Sequence, residues 1–341
     1  MTRGICTAAS LAFLFMALGI FKVAANEGIS RKTINAMSFN IRYDNPGDKE
    51  NGWTNRKEMV AETIRFHKVD IAGLQEALYH QVKDLEKLLP EYGWFGVGRD
   101  DGREAGEYTP VFYLKDRFTI LHHSTFWLSD TPEKPGKAWD AALPRISTWG
   151  KIEDTWTGNT FFIFNTHFDH VGETARIKSA ELLIKKIDES IEDNPVILTG
   201  DFNCSEKDFP YKILTSGSGQ IPGLSDVYTL TKFKPYGSTQ TFNGFQNSIL
   251  PDRRIDFIFA AKIDEILRCG TISERWDGRF VSDHNAVLAE IELIERSYSY
   301  RSESTGLAVA ALTDWSPIVI MAIIRVAIPV RRNIQGPRVV R

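Results

Sequence analysis

The sequence predicts an α/β protein in which two β-sheets pack face to face with helices on the outside. Three observations carry that reading. Short apolar runs of strand length recur from residue 33 to residue 294, several of them apolar throughout. A few longer stretches between them carry apolar residues at helical spacing. No internal repeat, low-complexity tract or long linker divides the stretch into two bodies.

Thr33–Ile41 alternates at period two, with Met37, Phe39 and Ile41 on one face and Ser38 and Asn40 on the other. Asn55–His67 reads as a helix through Met59, Ile64 and Phe66, and Val69–Gln75 as an apolar strand that runs into Glu76. Leu78–Leu89 is a helix ended by Pro90. Strands are expected near Val111–Leu114, Phe118–Leu128, Thr148–Ile152 and Thr160–Thr166. Glu173–Ile191 is the clearest helix, with Ala180, Leu183, Ile184 and Ile187 at helical spacing. Pro195–Thr199 is a buried strand, and Arg254–Ala260 and Asn285–Leu293 supply the last two.

With 43% hydrophobic and 25% charged residues, the 341-residue chain is neither disordered, nor a collagen-like repeat, nor a polytopic membrane protein. Its formal charge of −3 is uneven: the first 25 residues carry +2 and the last 45 carry +4, so the body between them carries −9. An acidic body grips a polyanion poorly, so handling phosphate would take a metal cation or a small local basic patch. Three cysteines exclude a disulfide framework, and Cys204 and Cys269 could be free thiols or one bridge.

Residues 1–25 read as an export signal: Arg3, then apolar Leu11–Phe21, then the small residues Val23-Ala24-Ala25. The mature protein is therefore expected to be secreted or periplasmic. Residues 33–294 form the expected domain. Residues 297–341 change character, and their apolar run Pro317–Val330 is short, holds Arg325 and ends at a proline. That extension is expected to be poorly ordered, with an interfacial anchor as the alternative.

Chemistry-bearing residues gather where strands end. Asn40 ends the first strand and Glu76 follows the second; His167 follows Phe161–Thr166; Asp201 and Asn203 follow Val196–Thr199; Asp256 lies in Arg254–Ala260; Asp283 and His284 precede the last strand. A lone carboxylate at a strand end is ordinarily a solvated turn residue. Eight such groups at strand ends of one sandwich converge on one cleft. Asp256, between Ile255 and Phe257, is the sharpest of them, because a carboxylate in an apolar strand is costly to bury unless paired. Arg253, Arg254 or His284 could be its partner. His67, His80, His122 and His123 lack such surroundings and are expected at the surface.

Six motifs, Ser38-Phe39-Asn40, Leu74-Gln75-Glu76, Asn165-Thr166-His167, Gly200-Asp201-Phe202-Asn203, Arg254-Ile255-Asp256-Phe257 and Ser282-Asp283-His284, stand in the order of the endonuclease/exonuclease/phosphatase superfamily. The chain resembles that superfamily over residues 33–294. The segments Phe126–Ser129, Trp139–Arg145 and Thr166–His170 look like a secreted bacterial branch, similar in overall pattern to carbon-catabolite-repressor-type deadenylases.

The resemblance implies a four-layered, DNase I-like α/β sandwich and a divalent-metal phosphoesterase acting on a phosphate-ester substrate such as a nucleic acid, nucleotide, phospholipid head group or sugar phosphate. A non-catalytic binding module on the same fold is the alternative, and a monomer without a stable protein partner is expected. By motif, Glu76 would be the main Mg²⁺ or Mn²⁺ ligand, with Asn40 and Asp283 assisting. Asp201 would orient or deprotonate the attacking water, and Asn203 and His167 would contact phosphate. His284, supported by Asp256, would stabilise developing charge, and Arg145 and His170 would bind substrate. Some nucleases of the superfamily place an acid where this chain has Arg42, which throws more weight on Glu76.

A phosphate ester is anionic with a poor leaving group, so hydrolysis needs a cation, an activated water and donors for the transition-state oxygens. Oxygen ligands suit Mg²⁺ or Mn²⁺. Specificity is expected in Asp44–Trp53, Asp100–Tyr108, Asp130–Arg145 and Lys232–Pro251. The aromatics Trp53, Tyr108, Trp139, Tyr236, Phe242 and Phe245 there either stack on substrate or cover the core.

Overall fold

The computed structural model describes residues 32–217, 223–248 and 253–294. The expected export signal and the extension at 297–341 lie outside the described residues. In chain order the main elements are β1 (Thr33–Asn40), α1 (Trp53–Phe66), β2 (Ile71–Gln75), α2 (Tyr79–Leu88), β3 (Tyr92–Phe95) and β4 (Val111–Leu114). There follow β5 (Phe118–Trp127), β6 (Ile146–Asp154), β7 (Asn159–His167), α3 (Glu173–Ile191), β8 (Val196–Asp201) and α4 (Phe209–Ser216). The last are β9 (Ser225–Asp226), β10 (Asp256–Ala261), β11 (Ile263–Ile272), the two-residue strands β12 (Arg275–Trp276) and β13 (Arg279–Phe280), and β14 (Ala286–Leu293).

Two six-stranded mixed sheets result, ordered β11-β14-β1-β2-β4-β3 and β5-β6-β7-β8-β10-β9. Their inner faces meet through Ile34, Ala36 and Val287 on one side and Ile163, Ile197 and Ile258 on the other. α1 and α2 cover the outer face of the first sheet through Met59, Ile64, Val82 and Leu85, and α3 covers the second through Leu183, Ile184 and Ile187. The layering is thus helix, sheet, sheet, helix. Each such side chain contributes about 1.5–3 kcal/mol by leaving water.

Central β1 is buried on both faces. Its odd residues Met37 and Phe39 pack under the helices, whereas Ile34 and Ala36 face the other sheet, and Ser38 and Asn40 share their parity. The inner-face parity therefore runs from apolar to polar toward the site end. A polar layer marks the change: Gln75 Nε2 and Thr199 Oγ1 donate to Asn165 Oδ1 at 2.6 and 3.0 Å, and Asn165 Nδ2 donates to Leu74 O at 2.7 Å across the sheets. Gly73 allows this approach, since a Cβ there would stand 2.0 Å from Thr199 Oγ1.

Away from the site, buried Arg117 binds both sheets together. Its Nη1 lies 3.1 Å from Asp70 and donates to Thr33 O at 3.0 Å, and its Nη2 lies 2.8 Å from Asp154. Cys204 and Cys269 are free and buried, which settles the sequence alternative in favour of thiols; burial pushes both up to about 12.

Candidate active site

The ladder sets the site. His167 pairs with Asp201 across β7 and β8, and Asp201 pairs with Asp256 across β8 and β10, so all three side chains emerge in a row on the inner face. In the first sheet Asn40 pairs with Gln75, which puts Glu76 one step beyond β2 in a left-handed turn (φ 60°). Asn203 is likewise left-handed (φ 46°), and its N–H donates to Asp201 Oδ1 at 3.0 Å, folding the Asp-Phe-Asn elbow back on itself. Ser282 Oγ donates to Asn40 O at 2.7 Å and so fastens the Asp283-His284 segment to the end of β1.

These elements enclose a cleft of about 630 Å³. Eight of the ten residues singled out by the sequence line it: Glu76, Arg145, His167, His170, Asp201, Asn203, Asp283 and His284. The other two stand behind the wall. Asn40 Nδ2 donates to Glu76 Oε1 at 3.1 Å and to Asp201 Oδ2 at 3.0 Å, and lies 3.4 Å from His284 Nε2. Asp256 Oδ2 lies 2.9 Å from His284 Nδ1, while Asp256 Oδ1 has no hydrogen-bond partner among the described residues. Of the partners the sequence left open to Asp256, His284 is the one. Arg254 instead holds Asp226 at 2.7 Å, and Arg253 lies over the Phe242 ring. Asp256 begins β10 and does not lie inside it, so the apolar strand starts at the carboxylate.

Burial drives the protonation of the site. It pushes Asp201 up to about 7, helped by the charge of Asp256. Burial opposes the charged form of His284, yet the carboxylates of Asp256 and Asp201 outweigh it and raise the imidazole well above its ordinary value. His167 goes the other way: burial, then the cations Arg145 and Arg99, hold it well below. One imidazole is therefore kept charged and the other neutral across the same cleft. His167 Nε2 stands 3.1 Å from Asn203 Nδ2 and 3.4 Å from Asp201 Oδ2.

Among the described residues two groups of donors could hold a cation: Glu76, His167 and Asp201, and separately Asp201, Asp256 and His284, the atoms of each lying within 4.8 Å of one another. The second is already engaged as a hydrogen-bonded pair. The first opens on the cleft, where Asp283 adds a carboxylate and no thiolate competes, a donor set that fits a hard divalent ion. Arg42, at the position where some nucleases carry an acid, forks onto Asp48 at 2.9 and 3.2 Å and turns Nη1 to within 3.9 Å of Glu76 and 3.6 Å of Asp283.

Sequence reasoning missed the residues that hold the cleft in shape. Buried Arg56 donates to the carbonyls of Ile41 and Val281 at 2.7 and 3.0 Å, joining the loop after β1 to the one before β14. Asp169 accepts from the N–H groups of Ala142, Leu143, Val171 and Gly172, fixing the loop that delivers Arg145; those bonds overcome burial and hold it down at about 2. Glu107 and Arg99 stand beside Arg145 and His167. Among the aromatics, Trp53 and Tyr108 are core residues, whereas Phe242 and Phe245 reach the cleft. His80, His122 and His123 are exposed as expected; His67 is half-buried against Glu274 at 2.9 Å, away from the site.

Known proteins share this architecture. An endonuclease/exonuclease/phosphatase of Bacteroides vulgatus is 42% identical, with 77% of this chain and 99% of that one covered and a TM-score of 0.73. A mannosyl-6-phosphatase of Bacteroides thetaiotaomicron VPI-5482 is 38% identical, with 76% and 99% covered and a TM-score of 0.70. Carbon catabolite repressor protein 4 homolog 3 of Arabidopsis thaliana is 26% identical over 167 residues, 48% of this chain and 36% of that protein. The chain likewise spans only 42% and 60% of the length of two uncharacterised Acanthamoeba polyphaga mimivirus relatives. The family model described as Endonuclease/Exonuclease/phosphatase family matches residues 37–284, and with the shared sandwich this makes the chain a member of that family.

Proposed function

We propose that this chain hydrolyses a phosphate ester with water and that it does so with a bound divalent cation, Mg²⁺ or Mn²⁺. The observation that carries the reading is the Asn40 amide, which ties Glu76, Asp201 and His284 into one cluster at the floor of the cleft. Glu76 would hold the cation, with Asp283 near it. Bound there, the cation would offset the negative charge of the phosphate.

The chain's own groups do the rest. Asp201, whose carboxyl burial pushes up to about 7 in the metal-free protein, accepts a proton from the attacking water. Asn203 and the neutral His167 orient a phosphate oxygen without adding charge of their own. His284, kept protonated by Asp256, faces the oxygen on which negative charge grows. The likeness to a mannosyl-6-phosphatase makes a sugar phosphate the first substrate to try.

The test uses the full chain and a panel of phosphomonoesters and phosphodiesters. Chelator should abolish turnover and Mg²⁺ or Mn²⁺ restore it. Glu76→Gln should weaken calorimetric metal binding by about tenfold or more, the expected loss of a charged ligand. Full turnover in excess chelator, or no turnover of any phosphate ester, refutes the proposal.

A further inference from the structure

Glu107 has no place in the chemistry above. It lies in the cleft wall beyond His167, with its side chain 16% exposed. Its Oε2 accepts from Arg99 Nη1 at 2.6 Å and stands 3.9 Å from both Arg145 Nη1 and His167 Nδ1. Among the described residues no donor engages Oε1. Arg145, 5% exposed, lines the same wall, and its Nη1 has no hydrogen-bond partner among the described residues. Its Nη2 is held 3.0 Å from His170 Nδ1.

A carboxylate beside a phosphate-contacting histidine is a poor choice for gripping an anion, because it repels what the neighbouring guanidinium attracts. A polynucleotide passing here would bring a further phosphate against it. A hydroxyl reverses the balance. It donates to the carboxylate and accepts from the guanidinium, so two hydroxyls on neighbouring carbons engage both at once. The unmet N–H of Arg145 then gains the acceptor it lacks, and buried donors seldom stay unmet.

We propose that Glu107 and Arg145, with Glu107 held in place by Arg99, form a polyol subsite for the leaving group, so that the substrate is a sugar bearing a terminal phosphate. This rests on the phosphoesterase reading and names its substrate class. Glu107 is the residue that selects hydroxyl-bearing leaving groups.

The experiment compares kcat/KM for hexose 6-phosphates (mannose, glucose and galactose) with that for cyclohexylmethyl phosphate. The latter has the same primary alkyl phosphate on a six-membered ring without hydroxyls. The full chain with Mg²⁺ or Mn²⁺ should prefer at least one sugar by tenfold or more, since a site built around hydroxyls discriminates strongly against analogues lacking them. Glu107→Gln should cut that preference about tenfold, through KM for the sugar. Glu107→Asp, which keeps the charge but retracts it, should cut it too. Both substrates are read on one preparation, so any unfolded fraction cancels in the ratio. A wild-type protein that turns over the hydroxyl-free ester equally well, or a variant that loses both rates in proportion, overturns the subsite and leaves the phosphoesterase reading standing. Turnover of neither substrate while another phosphate ester is hydrolysed overturns the subsite alone, and turnover of no phosphate ester removes both readings.

Discussion

Asp256→Asn separates catalysis from stability at the centre of the site. The carboxylate lies 2.9 Å from His284 Nδ1 and is the largest of the charges that keep this buried imidazole protonated. The carboxamide preserves shape and can still offer its oxygen to Nδ1, but it removes that charge. A hydrogen bond to a charged group contributes about 1.5–3 kcal/mol, and 1.36 kcal/mol is a factor of ten in rate, so kcat should fall about 10- to 150-fold with KM little changed. The structure also sets a stability effect. With its oxygen on His284, the amide must put its NH₂ where Oδ1 now sits, a buried position with no partner. An unmet buried donor costs about 1–3 kcal/mol, so the melting temperature should drop by several degrees. The assay is steady-state kinetics per folded molecule, with an NMR titration of His284 in the metal-free protein. His284→Ala should cost at least as much in kcat, and the double variant little more. A lowered melting temperature with full kcat, or an imidazole that stays protonated without Asp256, would refute the pairing.

Two further outcomes follow from other parts of the molecule. Arg117→Met leaves the buried carboxylates Asp70 and Asp154 without their shared cation, and denaturant titration should show a loss of about 3–5 kcal/mol; a loss under 1 kcal/mol would contradict its role as a clamp. In the metal-free protein Asp201, pushed up to about 7, holds a proton that the unfolded chain releases near pH 4, so this stabilisation is complete below about pH 4 and is lost as pH rises through 7. Melting temperatures from pH 5 to 8, taken relative to Asp201→Asn, should therefore decline, and a flat difference over that window would show the carboxyl to be ionised throughout.

Much of this was legible because the inner-face parity of each central strand ends in a polar residue. Asn40, His167 and Asp201 are read directly from that pattern, and Asp256 from its apolar neighbours. Elements that obey a weaker period were missed. Edge strand β11 alternates imperfectly because register shifts flank Glu265 and Arg268, and β3 has only four residues. Helix α4 carries a proline as its second residue and buries little beyond Pro210 and Leu214. Glu107 was hidden differently. It is one of five charged residues in Asp100–Tyr108, and what distinguishes it is contact with Arg145, which only the fold supplies. Trp53 and Tyr108 look like rim aromatics in a sequence because burial at the first residue of a helix or in a loop leaves no periodic trace.

The pairing of β1 with β14 has a consequence for how the chain is made. Thr33 lies opposite Glu292 and Ser38 opposite Val287, so the first strand of the body is completed by the last. Until β14 has left the ribosome, one edge of β1 has no neighbour, and the Asp283-His284 segment cannot reach Asn40. Pairing over such a separation is slow, because the loop must close before the contact repays it. The nascent protein therefore carries an unpaired edge on β1 until β14 emerges, and the cleft is complete only then.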